Sequence, residues 1–350
     1  MKALVGAEAG GYRLASDLPV PTPRPGEILC RVHAVALNPL DAKVIDYSQV
    51  PGALGGCDFA GTVVAAGAGV TRFRAGDRVL AVTFPMDAAD KAAGAFAEYA
   101  LATEGLACHI PDALPFTDAT AMGLAIATAG LALFQLPGLA LPFNAAPGTA
   151  TGEVVLVSGG ATATGTMATQ LLRIAGYTPI VTCSPSNDAL CASFGAAATF
   201  DYHSASCGAD IRVHTDNGLR HVLDCVTDAA SMKTSYEAIG AGGGAYVALE
   251  APTAAVKYTR RDVRADWLMA PSLLGVPVHK KGAYGRPSTP AHKQFGTQLF
   301  AQAEAWLRDG AIRHHPVEIR EGGLAGITDG VDDMRLGKVH AKKLVLPLLG

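Results

Sequence analysis

From Glu153 onward, short apolar runs alternate with helical stretches, and this alternation restricts the fold more than any other feature of the chain. Val154-Val155-Leu156-Val157 reads as a buried strand of the parallel type. A helix over 167–175 follows, then a strand over 178–182, a helix over 188–194 and a strand at Ala198-Thr199-Phe200. Strands over 221–226 and 244–249 flank a helix over 229–239. This βαβ rhythm predicts an α/β domain with a doubly wound parallel sheet and helices on both faces.

The first turn of that sheet reads Val157-Ser158-Gly159-Gly160-Ala161-Thr162-Ala163-Thr164-Gly165-Thr166. It leaves a strand and opens a helix, where a glycine-rich backbone approaches a pyrophosphate and the helix N-terminus faces the anion. Glycine also serves ordinary strand–helix turns, so position rather than composition favours a dinucleotide. The spacing departs from G-x-G-x-x-G: Thr162 stands where a middle glycine is expected, and Thr162 and Thr164 offer hydroxyls to phosphate instead. The second strand ends in Thr182-Cys183-Ser184-Pro185-Ser186-Asn187, with no acid before Asp188. An acid there would bind the ribose 2′-hydroxyl of NAD, so its absence favours NADPH, although no arginine lies beside the loop to clamp the extra phosphate. Tyr202 suits either the flank of an adenine or ordinary packing.

Strand-like runs over 27–35, 59–67 and 75–81, separated by glycine turns, predict a folded-over β-domain ahead of the sheet. Residues 118–136 are read as an amphipathic helix with Thr117 or Asp118 as N-cap, and 137–152 as a Pro/Gly/Asn-rich insertion. The stretch 119–141 is apolar enough to raise a membrane span, but Gly123, Gly130, Pro137, Gly138 and Pro142 favour helix followed by loop. A helix over 290–308 and strands near Val317 and Leu344 return to the first domain. At 350 residues two domains are expected, 1–122 with 281–350, and 123–280.

Composition excludes several classes. The chain is 49% hydrophobic and 17% charged, against disorder, and its net charge of −3 with no basic cluster beyond pairs argues against nucleic acid. Seven scattered cysteines without a C-x-x-C pair fit neither a disulfide framework nor a zinc knuckle. Met1-Lys2-Ala3-Leu4-Val5 turns polar by Glu8 and reads as a strand rather than a secretion signal, so a cytoplasmic protein is expected.

Four stretches of the first domain carry a family resemblance: Asn38-Pro39-Leu40-Asp41-Ala42-Lys43, Gly56-Cys57-Asp58-Phe59-Ala60-Gly61-Thr62-Val63, Gly76-Asp77-Arg78-Val79 and Gly94-Ala95-Phe96-Ala97-Glu98-Tyr99. With the sheet domain behind them, the chain resembles the zinc-independent branch of the medium-chain dehydrogenase/reductase superfamily, close to quinone oxidoreductases. That resemblance implies a Rossmann domain plus a mainly β GroES-like catalytic domain. The stretches 159–164, 182–187 and 282–287, with the insertion, are similar to fungal trans-acting enoyl reductases of highly reducing polyketide synthases. The resemblance implies cofactor contacts from Asn38, Pro39, Leu40, Asp41, Lys43, Gly159, Ala161, Thr162, Ala163, Thr164, Ser184, Pro185, Ser186, Asn187, Tyr202, Leu249, Glu250, Val339 and His340. It implies an acyl pocket lined by Ala125, Ile126, Ala127, Thr128, Ala129, Gly130, Leu131 and Ala132, and by Leu273, Leu274, Gly275, Val276 and Pro277. Zinc alcohol dehydrogenases of the superfamily carry Gly-His-Glu where this chain has Gly56-Cys57-Asp58, with no third ligand at suitable spacing, so a metal-free site is expected. His314-His315 reads as a solvated turn.

For an α,β-unsaturated thioester, hydride reaches the β-carbon, charge builds on the thioester oxygen, and the α-carbon takes a proton from an acid or from water. Lys43 is the first candidate to bond the nicotinamide ribose and supply positive field, though by itself it reads as a surface lysine. Thr128 is either a partner of the carboxamide or ribose, or a helix-interior hydroxyl bonded to its own backbone. No tyrosine or histidine stands out as proton donor. A polyketide chain on an acyl carrier protein implies a partner polyketide synthase, with Arg260, Arg261, Arg264, Lys280 and Lys281 as candidates for a basic docking rim. Dimers of the superfamily pair the last strand of the sheet across a two-fold, and Pro277 in an expected last strand over 273–278 blunts that edge, so a monomer is expected. Two rivals stand beside the enoyl reductase: a freestanding NADPH reductase of quinones or enones, and a non-redox biosynthetic enzyme on the same fold.

Overall fold

The computed structural model describes residues 1–143 and 151–349; the middle of the expected insertion, 144–150, lies outside the described residues. The chain divides into two compact units, Met1–Ala127 with Pro271–Gly350, and Thr128–Ala270.

The first unit opens with β1 (Ala3–Gly6) paired antiparallel to β2 (Tyr12–Ala15). Next come β3 (Glu27–Ala36), α1 (Pro39–Ser48), β4 (Asp58–Ala66), β5 (Arg78–Val82), β6 (Tyr99–Thr103) and β7 (Ala107–His109). Glycine is obligatory inside β4, because a Cβ on Gly61 would lie 2.2 Å from the Arg31 carbonyl of β3. The expected amphipathic helix is instead two pieces, α2 (Phe116–Ala119) and α3 (Gly123–Phe134), with Pro115 rather than Thr117 or Asp118 at the first N-cap. Every residue of α3 is buried, so it is apolar all round, as a core helix is, and not amphipathic. Residues Phe116–Phe134 are long and apolar enough to cross a membrane, yet most of that stretch is packed inside the protein.

The second unit continues with β8 (Val154–Ser158), α4 (Ala163–Ile174), β9 (Thr178–Cys183), α5 (Asp188–Phe194), β10 (Ala198–Asp201) and α6 (Cys207–His214). It closes with β11 (His221–Asp224), α7 (Ala229–Ala238), β12 (Gly244–Ala248), α8 (Ala254–Lys257) and β13 (Val263–Trp267). The six strands are all parallel, in the order β10-β9-β8-β11-β12-β13. Strand order reverses between β8 and β11, so a crevice for ligands opens beyond their carboxyl ends.

The chain then completes the first unit with α9 (Pro290–Arg308), β14 (Val317–Ile319), α10 (Gly323–Arg335) and β15 (Lys343–Pro347). Its larger sheet runs β14-β15-β3-β4-β5-β7, with β6 also on β3. Its core gathers Leu4, Ile28, Phe59, Phe96, Ile327 and Leu346. The strand expected over 273–278 is not formed: Ala270–Leu274 is a turn of 3₁₀-helix and β13 is the last strand. The reason is local, since Gly275 takes φ +73° and Pro277 has no N–H to give a ladder.

Candidate functional site

All strands of the second unit point one way, so the loops after β8, β9, β10, β11 and β12 share one edge of the sheet. Of the residues expected to bind a cofactor, Gly159, Ala161, Thr162, Ser184 to Asn187, Tyr202, and Leu249 with Glu250 fall on these loops, and Ala163 and Thr164 open α4 directly behind the first of them. Glycine is obligatory here for two distinct reasons. Gly159 adopts φ +81°, and a Cβ on Gly165 would lie 2.3 Å from the Gly159 carbonyl. Thr162 caps α4: its hydroxyl donates to Gly159 O at 2.8 Å and accepts from Gly165 N at 3.0 Å. The Thr162 hydroxyl proton is thereby committed to the loop itself. The amides of Ala161, Ala163 and Thr164 have no partner among the described residues, a set of donors at a helix N-terminus suited to a pyrophosphate.

The loop is also tied to β9, because Gly159 N donates to Thr182 Oγ1 at 3.0 Å and Gly160 N to Thr182 O at 2.9 Å. A Cβ on Gly160 would lie 2.5 Å from Val181 Cβ, so this glycine lets the loop pack directly on the strand. At the tip of β9, Ser184 Oγ and Tyr202 OH lie 3.0 Å apart, and Tyr202 is half-exposed. A nicotinamide dinucleotide therefore fits the residues of this edge.

In the first unit, α1 is set by Pro39 at its first turn and by Asp41 Oδ2, which accepts from Asn38 N at 2.8 Å. Behind it lies a buried polar cluster. Lys343 Nζ is 2.7 Å from Asp58 Oδ2, Asn38 Nδ2 donates to the same oxygen at 3.0 Å, and Leu124 N donates to Asp58 Oδ1 at 2.5 Å. Lys343 Nζ also donates to Asn38 Oδ1 at 2.5 Å. Asp41 is wholly buried, Oδ1 has no hydrogen-bond partner among the described residues, and burial together with the Asp58 charge raises its pKa to about 7. Burial pushes the adjoining Cys57 thiol well above its usual range, with Asp41 and Asp58 adding to the shift. His315 is held near 4 by burial and by the Lys343 charge, so it is a neutral buried imidazole and not the solvated turn expected.

A zinc ion does not fit this cluster. Both oxygens of Asp58 are engaged, Lys343 already supplies the cation, and no group of three or more His, Cys, Asp or Glu able to hold a metal occurs among the described residues.

The remaining predicted residues divide plainly. Asn38 and Asp41 turn their side chains into the protein, whereas Pro39 and Lys43 are exposed on α1. Tyr47, one turn after Lys43, stacks on Tyr284 of the 282–287 stretch with ring centroids 3.8 Å apart. Val339 and His340 lie in the loop before β15. Ala125, Ile126, Ala127, Ala129, Gly130, Leu131 and Ala132 are buried along α3. Thr128 Oγ1 makes no hydrogen bond among the described residues, unlike Thr169, which bonds back to Gly165 O. Leu273 is packed inside, within reach of Gly296 of α9, while Val276 is half-exposed.

Three of the five basic residues expected at a rim serve other ends. Arg260 caps the carbonyls of Tyr236, Ile239 and Gly240, and Arg264 those of Pro137 and Gly138. Lys280 Nζ donates to Pro85 O and Met86 O at 2.6 Å, and burial lowers its pKa to about 8. Residue pairs distant in sequence were not foreseen: Asp58 with Lys343, and Asp224 with Tyr246.

Known proteins match along the whole length. Residues 24–112 fit the alcohol dehydrogenase GroES-like domain, and residues 163–268 the family described as zinc-binding dehydrogenase. A trans-enoyl reductase of Gibberella fujikuroi is 70% identical over 348 residues, covering 99% of each chain. Another, from a Penicillium species, is 64% identical over 350 residues, covering 100% of this chain and 99% of that one. Among solved structures, the CurK enoyl reductase superposes with a TM-score of 0.76 at 19% identity, covering 99% of this chain and 98% of the other, which speaks for the fold alone. A GroES-like unit, a parallel sheet with a glycine cradle at its switch point, and full-length identity of this order together make the chain a member of the trans-enoyl reductase family of medium-chain dehydrogenases/reductases.

Proposed function

We propose that this chain reduces the α,β double bond of a polyketide thioester with NADPH, the substrate arriving on an acyl carrier protein of a partner polyketide synthase. The observation that carries the substrate class is the 70% identity to a trans-enoyl reductase over essentially the whole chain. The preference for NADPH is supported by the β9 tip, where the only acid within reach in sequence, Asp188, begins α5, and where Ser184, Ser186, Asn187 and Tyr202 offer neutral donors.

When bound, the reduced nicotinamide supplies a hydride for the β-carbon. The chain's part is to bind and orient. The free amides of Ala161, Ala163 and Thr164 hold the pyrophosphate, and Lys43, exposed on a helix fixed by Pro39 and Asp41, bonds the nicotinamide ribose and contributes positive field. Thr128, with an unengaged hydroxyl, is the second orienting group. We further propose that the protein is a monomer, since the edge strand that a partner would have to pair, β13, carries the charged Arg264 and Asp266; light scattering tests this.

The functional test is NADPH oxidation with a short α,β-unsaturated acyl-pantetheine, run beside a quinone and beside NADH. Thioester-dependent oxidation that prefers NADPH is expected. With Lys43→Ala, kcat/KM should fall about tenfold or more while the melting temperature holds, because the residue is exposed. Activity confined to the quinone would replace this substrate class with free quinones or enones, and failure to bind either dinucleotide would overturn the redox reading.

A further inference from the structure

The turn after β11, residues 225–228, is wired to a single carboxylate. Asp224 ends β11, is completely buried, and accepts four hydrogen bonds. Oδ1 takes the amides of Val226 at 2.9 Å and Thr227 at 3.0 Å. Oδ2 takes the hydroxyls of Ser231 and Tyr246, both at 2.7 Å. Thr227 sits in the left-handed region at φ +69°, a conformation a threonine adopts only when its surroundings hold it there. Asp228 then caps α7 through Ser231 N at 2.7 Å.

This turn borders the glycine cradle. Cys225 N donates to Ser158 O at 3.0 Å, joining the ends of β11 and β8 at the point where strand order reverses. A Cβ on Gly159 would lie 2.7 Å from Val226 Cγ2 and 3.6 Å from Cys225 Cβ, so the two loops are packed without spare room. Any shift of the turn must therefore move the backbone that would cradle phosphate.

We propose that Asp224 is a positioning residue for dinucleotide binding: its carboxylate fixes the turn of residues 225–228 against the loop of Gly159 to Thr162 and so sets the shape of the phosphate cradle. This rests on the dinucleotide reading given above. Tyr246, Ser231 and the two turn amides spend their donors on one anion, and charge-assisted bonds of this kind hold geometry more firmly than neutral ones. The arrangement leaves no polar atom of Asp224 for a ligand, so its influence is indirect.

The test is NADPH titration by fluorescence, with steady-state kinetics and thermal unfolding, on the wild type, Asp224→Ala, Asp224→Asn and Thr227→Pro. Asp224→Ala should raise Kd and KM for NADPH about tenfold or more, since several bonds to a charged group are lost, with kcat at saturating NADPH within about threefold. Asp224→Asn should recover most of the affinity, because its carbonyl oxygen still accepts the turn amides and its amide can donate to both hydroxyls. Thr227→Pro should raise KM likewise: proline cannot adopt a positive φ, and the half-exposed turn can distort without emptying the core. That variant decides the matter if Asp224→Ala does not fold. Variants that melt lower yet bind NADPH as tightly as the wild type would overturn the inference, leaving Asp224 a purely structural group. A wild type that binds neither NADPH nor NADH would instead overturn the dinucleotide reading, and the inference with it.

Discussion

Replacing Asp41 with asparagine should shift the stability balance toward the variant as pH rises. In an unfolded chain an aspartate titrates near ~3.9. In the folded protein it titrates at about 7, first because burial penalises the anion, then because Asp58 lies nearby; the Asn38 amide and Lys343 oppose the shift without cancelling it. Between pH ~4 and ~7 the folded state holds a proton that the unfolded state has released. Stability therefore falls as pH rises, by ~1.4 kcal/mol per pH unit, and levels off once the folded group has ionised. Over the three units the loss is about 4 kcal/mol at most. An asparagine keeps an oxygen for the Asn38 amide and has no charge to bury. It still leaves one polar atom unpartnered where Oδ1 stood, a penalty of ~1–3 kcal/mol that does not depend on pH. The assay is urea unfolding of both proteins at pH values from about 5 to about 8. The difference in stability should climb in favour of Asp41→Asn by ~1.4 kcal/mol per unit up to pH ~7 and then flatten. A difference independent of pH across that window would refute the raised titration and the account of the cluster built on it.

The other predictions concern the polar cluster and the glycine cradle. Lys343→Met leaves the Asp58 carboxylate buried beside one amide side chain, at a cost of ~3–5 kcal/mol in chemical denaturation; adding Asp58→Asn should restore part of it. Should Lys343→Met unfold at the wild-type denaturant concentration, the pair contributes nothing. Gly165→Ala places a methyl 2.3 Å from the Gly159 carbonyl, so the loop must open, and NADPH affinity measured by titration should fall about tenfold or more. Unchanged affinity there would mean that the loop does not shape the dinucleotide site.

How much could be read without coordinates follows from the range over which each feature is decided. The strands of the parallel sheet were legible because each is a compact apolar run, and β9, β10 and β12 appear within a residue or two of where the pattern puts them. β13 was not, because an edge strand with Arg264 and Asp266 on it carries no apolar run to notice. No helix was legible over α1, since Asn38-Pro39-Leu40-Asp41 announces a cap more strongly than the helix that follows it. The glycine cradle was legible as a place but not as a geometry: that Thr162 spends its hydroxyl on capping follows only from where Gly159 O and Gly165 N fall. The buried charges were invisible for a stronger reason. Lys343 and Asp58 stand 285 residues apart, and no local pattern tells a paired lysine from a solvated one. Asp224 shows the intermediate case, as an acid at the end of an apolar strand is a visible anomaly whose partner Tyr246 lies just one βα unit further on. An acid closing a buried parallel strand, followed by a strand carrying an inward tyrosine, is thus a pattern a sequence can display, and it marks the turn between them as one the fold holds on purpose.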